Sequence, residues 1–207
     1  MEFHIWLTMF TASFIISISP GAGAVATINS VLNHGFKRSY ATIIGLQVGY
    51  LTQIIIVSIG LGGIIAASPT LYNIIKWLGV LYLIYLGITQ IFAFASGFKC
   101  EKTTGMFKFL SLFIKACLIN LTNPKATIFL LAFIPQFLSA NKPQLAQLWI
   151  ICLTLICVDF VVMSGYSALG STMRKYINSS RFIRIQNRIT GTALIIAAIF
   201  LAQSGAQ

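Results

Sequence analysis

Asp159, in the stretch "LICVDFVVMSGY", is the residue whose chemistry needs explaining first. The 207-residue chain has three acidic residues, Glu2, Glu101 and Asp159, and only Asp159 falls inside a long apolar run. An ionised aspartate near the middle of a bilayer costs about 2.5–3.5 kcal/mol on insertion scales, so it requires a partner, a water-filled cavity or a proton. Three roles are open to it: a static salt bridge to Lys125, a seat for a ligand's ammonium group, or a proton carrier. The last two are compatible. A carboxylate that alternately holds a proton and an ammonium group couples an outgoing substrate to an incoming proton.

Two short segments supply the opposite charge. "ISISPGAGAVAT" and "NLTNPKATIFLL" each interrupt an apolar run, and Pro20 aligns with Pro124 and Ala22 with Ala126 at an offset of 104 residues, half the chain. Ser19 and Asn123 are of the type that caps helix N-termini. Proline suits the next position, where its missing N–H would be orphaned anyway. The plain alternative is a proline kink without a ligand. Matched breaks in two halves of a membrane chain are, however, the best sequence pointer to a transporter's binding site. A helix that starts inside the bilayer aims free N–H groups and a partial positive charge at its surroundings, which suits an anion. Gly21 and Gly23 permit close backbone approach, and Lys125 adds a full cation.

These groups together favour a small zwitterion, its carboxylate at the helix starts and Lys125, its amine near Asp159. No second buried acid is available for a cationic side chain, so neutral amino acids are expected. Asn29, Gln47, Gln53, Asn120 and Thr122 are candidate side-chain contacts, although helix packing would equally explain each. The expected substrate-binding set is Ser19, Pro20, Gly21, Gly23, Asn29, Gln47, Asn120, Asn123, Pro124 and Lys125, with Asp159 coupling protons.

The elements that must position these residues follow from composition. Charged residues make up 8% of the chain and hydrophobic residues 57%, against roughly 25% charged in a soluble domain. The apolar runs reach the 20 or so residues needed to cross a bilayer. They predict an all-α integral membrane protein of one domain, residues 1–207, with spans at 4–32, 40–66, 71–96, 109–139, 144–170 and 189–205. Three spans lie on either side of the midpoint, so a repeated unit enters the membrane from opposite sides. The expectation is six transmembrane helices as two inverted three-helix repeats, about 1–98 and 106–207, with a broken first helix in each. The two first runs, at about 30 residues each, are too long for one upright helix.

The net charge of +11 is distributed as topology, not as a nucleic-acid surface. Lys37 and Arg38 follow the first span. Lys99, Lys102, Lys108 and Lys115 surround the third connection, and Arg174, Lys175, Arg181, Arg184 and Arg188 fill the fifth. The other side offers Lys142, with Lys76 just inside the third span. This bias places loops one, three and five in the cytoplasm and both termini outside. Trp6, Trp77 and Trp149 fall near outer span ends, where indoles anchor. The basic amphipathic stretches around Lys108 and Lys115, and around Arg181, Arg184 and Arg188, are expected at the cytoplasmic interface, in contact with lipid. A cleaved signal peptide is disfavoured because Glu2, and no basic residue, precedes the first run.

Cys100, Cys117, Cys152 and Cys157 form no CxxC, and His4 and His34 are not paired as ligands. No nucleophile triad or phosphate loop is present, so no enzyme, cofactor or metal is expected. Gly45 and Gly49 form a small-xxx-small pair suited to close helix packing. The rival readings are a cation or metal exporter, which would want several buried acids or histidines, a membrane redox carrier, which would want paired cysteines at the breaks, and a non-transporting scaffold, which leaves Asp159 without a purpose.

At "SPG" together with "NLTNPKATIFLLAFIPQF", the chain resembles the lysine exporter/resistance-to-homoserine-threonine (LysE/RhtB) superfamily of bacterial amino-acid exporters, over essentially its whole length. The segments "SPGAGAVATINSVLNHGF", "IGLQVGY", "KWLGVLYLIYLG" and "VDFVVMSGY" resemble its homoserine/homoserine-lactone branch. The resemblance implies an inner-membrane exporter of homoserine, its lactone or threonine, driven by proton antiport, with room for a homodimer. Many relatives place an acid after the glycine of the second span. Tyr50 stands there in this chain, so the coupling load falls on Asp159.

Overall fold

The structure, a computed structural model, describes residues 1–67, 69–93, 108–138, 142–172 and 179–203. Lys99, Cys100, Glu101, Lys102, Arg174 and Lys175, to which topology was assigned from sequence, lie outside these residues. Among the described residues the elements are helical throughout: α1 (Phe3–Ile18), α2 (Ala22–His34), α3 (Phe36–Ala67), α4 (Pro69–Ile91), α5 (Phe109–Leu121), α6 (Pro124–Phe133), a 3-10 turn (Ile134–Phe137), α7 (Gln144–Thr172) and α8 (Ser180–Gln203). Such uniformity follows from the solvent, since a chain in hydrocarbon must satisfy its backbone internally.

Both predicted breaks are present. α1 and α2 meet at 56°, and α5 meets the unit α6 plus its 3-10 turn at 52°. Three helical stretches are long and apolar enough to cross a membrane, Phe36–Gly60, Asn73–Ile91 and Gln144–Thr172, and the two bent pairs raise the number to five among the described residues. Their outer faces carry Ile59, Trp77, Leu81 and Leu153, exposed side chains that hydrocarbon solvates.

One detail differs from the sequence reading. Arg181, Arg184 and Arg188 do not sit in a connection preceding a span at 189; they occupy the first turns of the continuous helix α8. Lys115, inside the run expected at 109–139, lies on α5, the first half of the second broken helix. In both cases the helix continues through the basic residues because long cationic side chains can lie along it and reach polar surroundings with their tips.

Packing crosses between the halves: α3 lies along α5, α7 along α1 and α2, and α4 along α8. The α3–α5 approach depends on glycine. A Cβ at Gly45 would stand 2.3 Å from the Phe113 carbonyl oxygen, and one at Gly49 2.4 Å from that of Cys117. The buried side chains form two apolar clusters. One includes Met9, Ile54, Phe129, Ile134, Ile151 and Leu155. The other includes Ala24, Ile28, Ile43, Leu46, Met163 and Tyr166. On α3 and α7 the clusters are consecutive, separated near Gln47 and Asp159.

The Gly49→Ala substitution is expected to destabilise the protein by about 1–3 kcal/mol, because backbone must move to accept the methyl group. Gly165→Ala, where nothing lies within 4 Å of the added Cβ, is expected to be neutral or to stabilise by up to about 1 kcal/mol. Thermal unfolding in detergent micelles compares the two.

Candidate functional site

Each break exposes carbonyl groups at the end of one half-helix and N–H groups at the start of the next. At the second break the sequence grammar holds. Asn123 caps α6, its Oδ1 accepting from the Lys125 backbone N–H at 3.1 Å, with Pro124 at the first turn. At the first break the cap is shifted. Ser19 stays with α1, its N–H donating to the Ile16 carbonyl, Pro20 and Gly21 are extended, and Gly21 is the N-cap of α2. The Ser19 hydroxyl is not free to cap α2, because it accepts a hydrogen bond from Lys125 Nζ at 2.7 Å. Nζ also reaches the Ser19 carbonyl at 3.3 Å. Lys125 thus ties the two breaks together.

The orphaned carbonyls are satisfied from other helices. Tyr166 of α7 donates its hydroxyl to the Ile18 carbonyl at 2.6 Å, and Gln186 of α8 donates to the same oxygen at 3.4 Å and to the Tyr166 hydroxyl. Gln53 of α3 donates to the released carbonyl of Leu121 at 3.5 Å and to the Thr127 hydroxyl, and it also reaches the Asn123 carbonyl at 3.3 Å, which already accepts the first bond of α6 from the Thr127 N–H. The N–H groups at the start of α2 are treated differently. The first bond of its ladder runs from Val25 to Gly21 at 3.0 Å, so the N–H groups of Ala22, Gly23 and Ala24 precede it.

Between the breaks lies a cavity of about 70 Å³, lined on one side by Ser19, Gly21, Gly23, Asn123 and Lys125 and on another by Asp159, Ser17 and Tyr50. Asn120 also lines it, with its amide N–H donated to the Leu46 carbonyl at 2.9 Å. Apolar surface comes from Ile16, Leu46, Phe129 and Met163. At roughly 10–15 Å³ per water, this space suits a molecule of amino-acid size, not a peptide.

Asp159 Oδ2 accepts from Gln47 Nε2 at 2.7 Å, and Ser17 lines the same cavity. Gln47 Oε1 is buried without a hydrogen-bond partner. No ion pair within 4.0 Å joins Asp159 to Lys125. The static-bridge alternative for Asp159 is therefore set aside, because Lys125 is held by Ser19.

Of the residues singled out from sequence, Ser19, Gly21, Gly23, Asn120, Asn123, Lys125 and Asp159 line one cavity. Pro20 and Pro124 shape the two breaks without lining it, and Gln47 stands behind Asp159. Asn29 is elsewhere: two turns along α2, it faces a second cavity towards α5. Tyr166 and Gln186 were missed. No spacing could reveal them, since they and the carbonyl they share sit on three different helices. Among the described residues no three His, Cys, Asp or Glu side chains gather as metal ligands, and Cys117, Cys152 and Cys157 are free thiols.

Comparison with known proteins identifies the family. The sequence profile of a family described as LysE type translocator matches residues 14–205. A homoserine/homoserine lactone efflux protein of Salmonella typhimurium is 37% identical over 204 residues, 99% of this chain and 98% of that protein. The protein of the same name from Salmonella typhi is 36% identical over the same shares. An uncharacterized membrane protein of Vibrio cholerae is 34% identical over 206 residues, the full length of both chains. No solved structure matches the chain.

The Gln53→Leu substitution leaves the Leu121 carbonyl without its side-chain donor and is expected to cost about 1–3 kcal/mol. Thermal unfolding in detergent measures it, and a loss under about 0.5 kcal/mol would show that the second break holds without this amide.

Proposed function

Since this chain belongs to the LysE type translocators, and is a membrane transporter and not an enzyme, we propose that it exports small neutral amino acids and their derivatives, homoserine, homoserine lactone or threonine, across the bacterial inner membrane in exchange for protons. The observation that carries this reading is the pairing, in one small cavity, of a cationic end with an anionic end that are not bonded to each other. The start of α2 and Lys125 would take the carboxylate. Asp159 and the unpartnered Gln47 Oε1 would take the ammonium group. The names of the Salmonella relatives, which describe efflux of homoserine and its lactone, support the substrate class and the direction.

In this reading Asp159 exchanges an ammonium group for a proton on each cycle. α8 is the sixth span, the two halves are inverted repeats, both termini face outward, and a homodimer remains compatible with the apolar outer faces. Support for the repeat comes from two residues 104 apart, Gly87 and Gly191, which meet at the α4–α8 crossing. A Cβ on either would come within 2.7 Å of the other's carbonyl oxygen. A two-fold axis between the halves would bring equivalent residues together in this way.

The test is uptake of labelled homoserine or threonine into everted vesicles with and without a pH gradient. The native protein is expected to accumulate substrate only with the gradient, and Asp159→Asn to lose that accumulation. Lys125→Ala is expected to weaken homoserine by about tenfold or more and the lactone, which has no carboxylate, distinctly less. Gradient-independent accumulation, or full activity in Asp159→Asn, rejects the coupling, and equal losses for homoserine and its lactone reject the role of Lys125.

A further inference from the structure

A second cavity, of about 340 Å³, lies between α2, α3 and α5. It runs the length of α2, from His34 at its last residue to Ala22 at its first, a distance of about 20 Å at 1.5 Å per residue. Its outer part is polar, with Asn29, Ser30, Asn33, Thr42 and Lys115 on its walls, and its inner end is apolar, with Ala22, Val25 and Ile119. By the charge distribution its mouth, beside His34 and the start of α3, is cytoplasmic.

Its inner end abuts the first cavity. On α2, Ala22 faces the second cavity while Gly21 and Gly23 face the first; on α5, Ile119 faces the second and Asn120 the first. The partition is a thin apolar layer of Ala24, Leu46 and Ala116, each about 1% exposed. The Leu46 side chain lies over Gly23, 3.6 Å from where a Cβ would stand. Two groups in this cavity offer a zwitterion complementary contacts. Lys115 brings a cation, and Asn29 Oδ1 is a buried acceptor with no hydrogen-bond partner.

We infer that this cavity is a cytoplasmic loading site, in which Lys115 receives the carboxylate and Asn29 the ammonium group of the amino acid before the Leu46 layer admits it to the break. The inference rests on the export reading above, and it gives Asn29 a place in the path that the first cavity does not. A phospholipid headgroup on Lys115 is the competing occupant. The row of Asn29, Ser30, Asn33 and Thr42 along the wall favours a hydrated polar solute, because an acyl chain would gain nothing from those groups.

The test uses Ala26→Cys, which faces the cavity, in a transport-competent chain whose native cysteines are replaced by serine. A membrane-impermeant thiol reagent is applied to everted and to right-side-out vesicles. Labelling is expected from the cytoplasmic face only. Homoserine at ten times its dissociation constant should slow it about tenfold. Protection should persist when Asp159→Asn is added and vanish with Lys115→Gln, while Lys115→Arg retains it. Labelling from the outer face, or protection lost with Asp159→Asn and kept with Lys115→Gln, overturns the loading site. So does labelling that homoserine leaves unchanged but anionic phospholipid slows, which would assign the cavity to a headgroup. Protection at Ala26→Cys in a chain that moves no amino acid would leave the loading site standing and sink export.

Discussion

Every feature of the site descends from one constraint: backbone groups released by a break inside the bilayer must find partners, because lipid offers none. The two breaks release carbonyls at Ile18, Ser19 and Leu121. Tyr166 with Gln186, Lys125, and Gln53 take them. These donors sit on α7, α8, α6 and α3, so the bonds also fix the level at which those helices pass the breaks. The acceptors of the breaks are consumed by the protein, whereas the N–H groups of Ala22, Gly23 and Ala24 precede the first bond of the α2 ladder, beside a cavity that Gly21, Gly23 and Ala24 line. That imbalance leaves the cavity's first wall electropositive.

Gln47 and Asp159 lie between the two apolar clusters, whereas Gln53 and Tyr166 reach the breaks from among cluster residues. On α7, Ile151 and Leu155 precede Asp159, and Met163 and Tyr166 follow it. On α3, Ile43 and Leu46 precede Gln47, and Tyr50 and Ile54 follow. Two apolar clusters therefore seal a polar layer from both sides, which lowers the local dielectric and strengthens each interaction within it. The seal towards α5 is thinnest, reduced to Leu46 and small residues, and the larger cavity stands against that wall.

Much of this was legible in the sequence because proline, asparagine and aspartate are conspicuous in apolar runs. The breaks, the cap of Asn123 on α6 and the isolation of Asp159 follow from residue type alone. The shift of the first cap from Ser19 to Gly21 does not, since it depends on Lys125, 106 residues away in the chain, claiming the serine hydroxyl. Asn29 lies on the face of α2 that looks towards α5, together with Ala26, Ser30 and Asn33. That polar stripe is visible in the sequence, but the helix it meets begins only at Phe109, and no spacing names it. Tyr166 and Gln186 looked like ordinary packing residues until the carbonyl of Ile18 supplied their purpose.

The separation of Lys125 from Asp159 decides what such a site can hold. Had the two paired, each would have compensated the other, and a ligand would have had to break a buried bridge at a cost of several kcal/mol. Lys125 instead rests on the hydroxyl and carbonyl of Ser19, and Asp159 on the amide of Gln47, neutral partners that only partly offset a buried charge. A solute with one positive and one negative end completes both environments at once, whereas homoserine lactone, with an ammonium group and no carboxylate, would complete only the Asp159 end. The same logic makes the proton a substitute for half of the ligand: protonation relieves Asp159 when the ammonium group is gone. Coupling in this reading is a consequence of keeping the two charges apart, and Ser19, by holding Lys125 on its own side of the break, is what keeps them so.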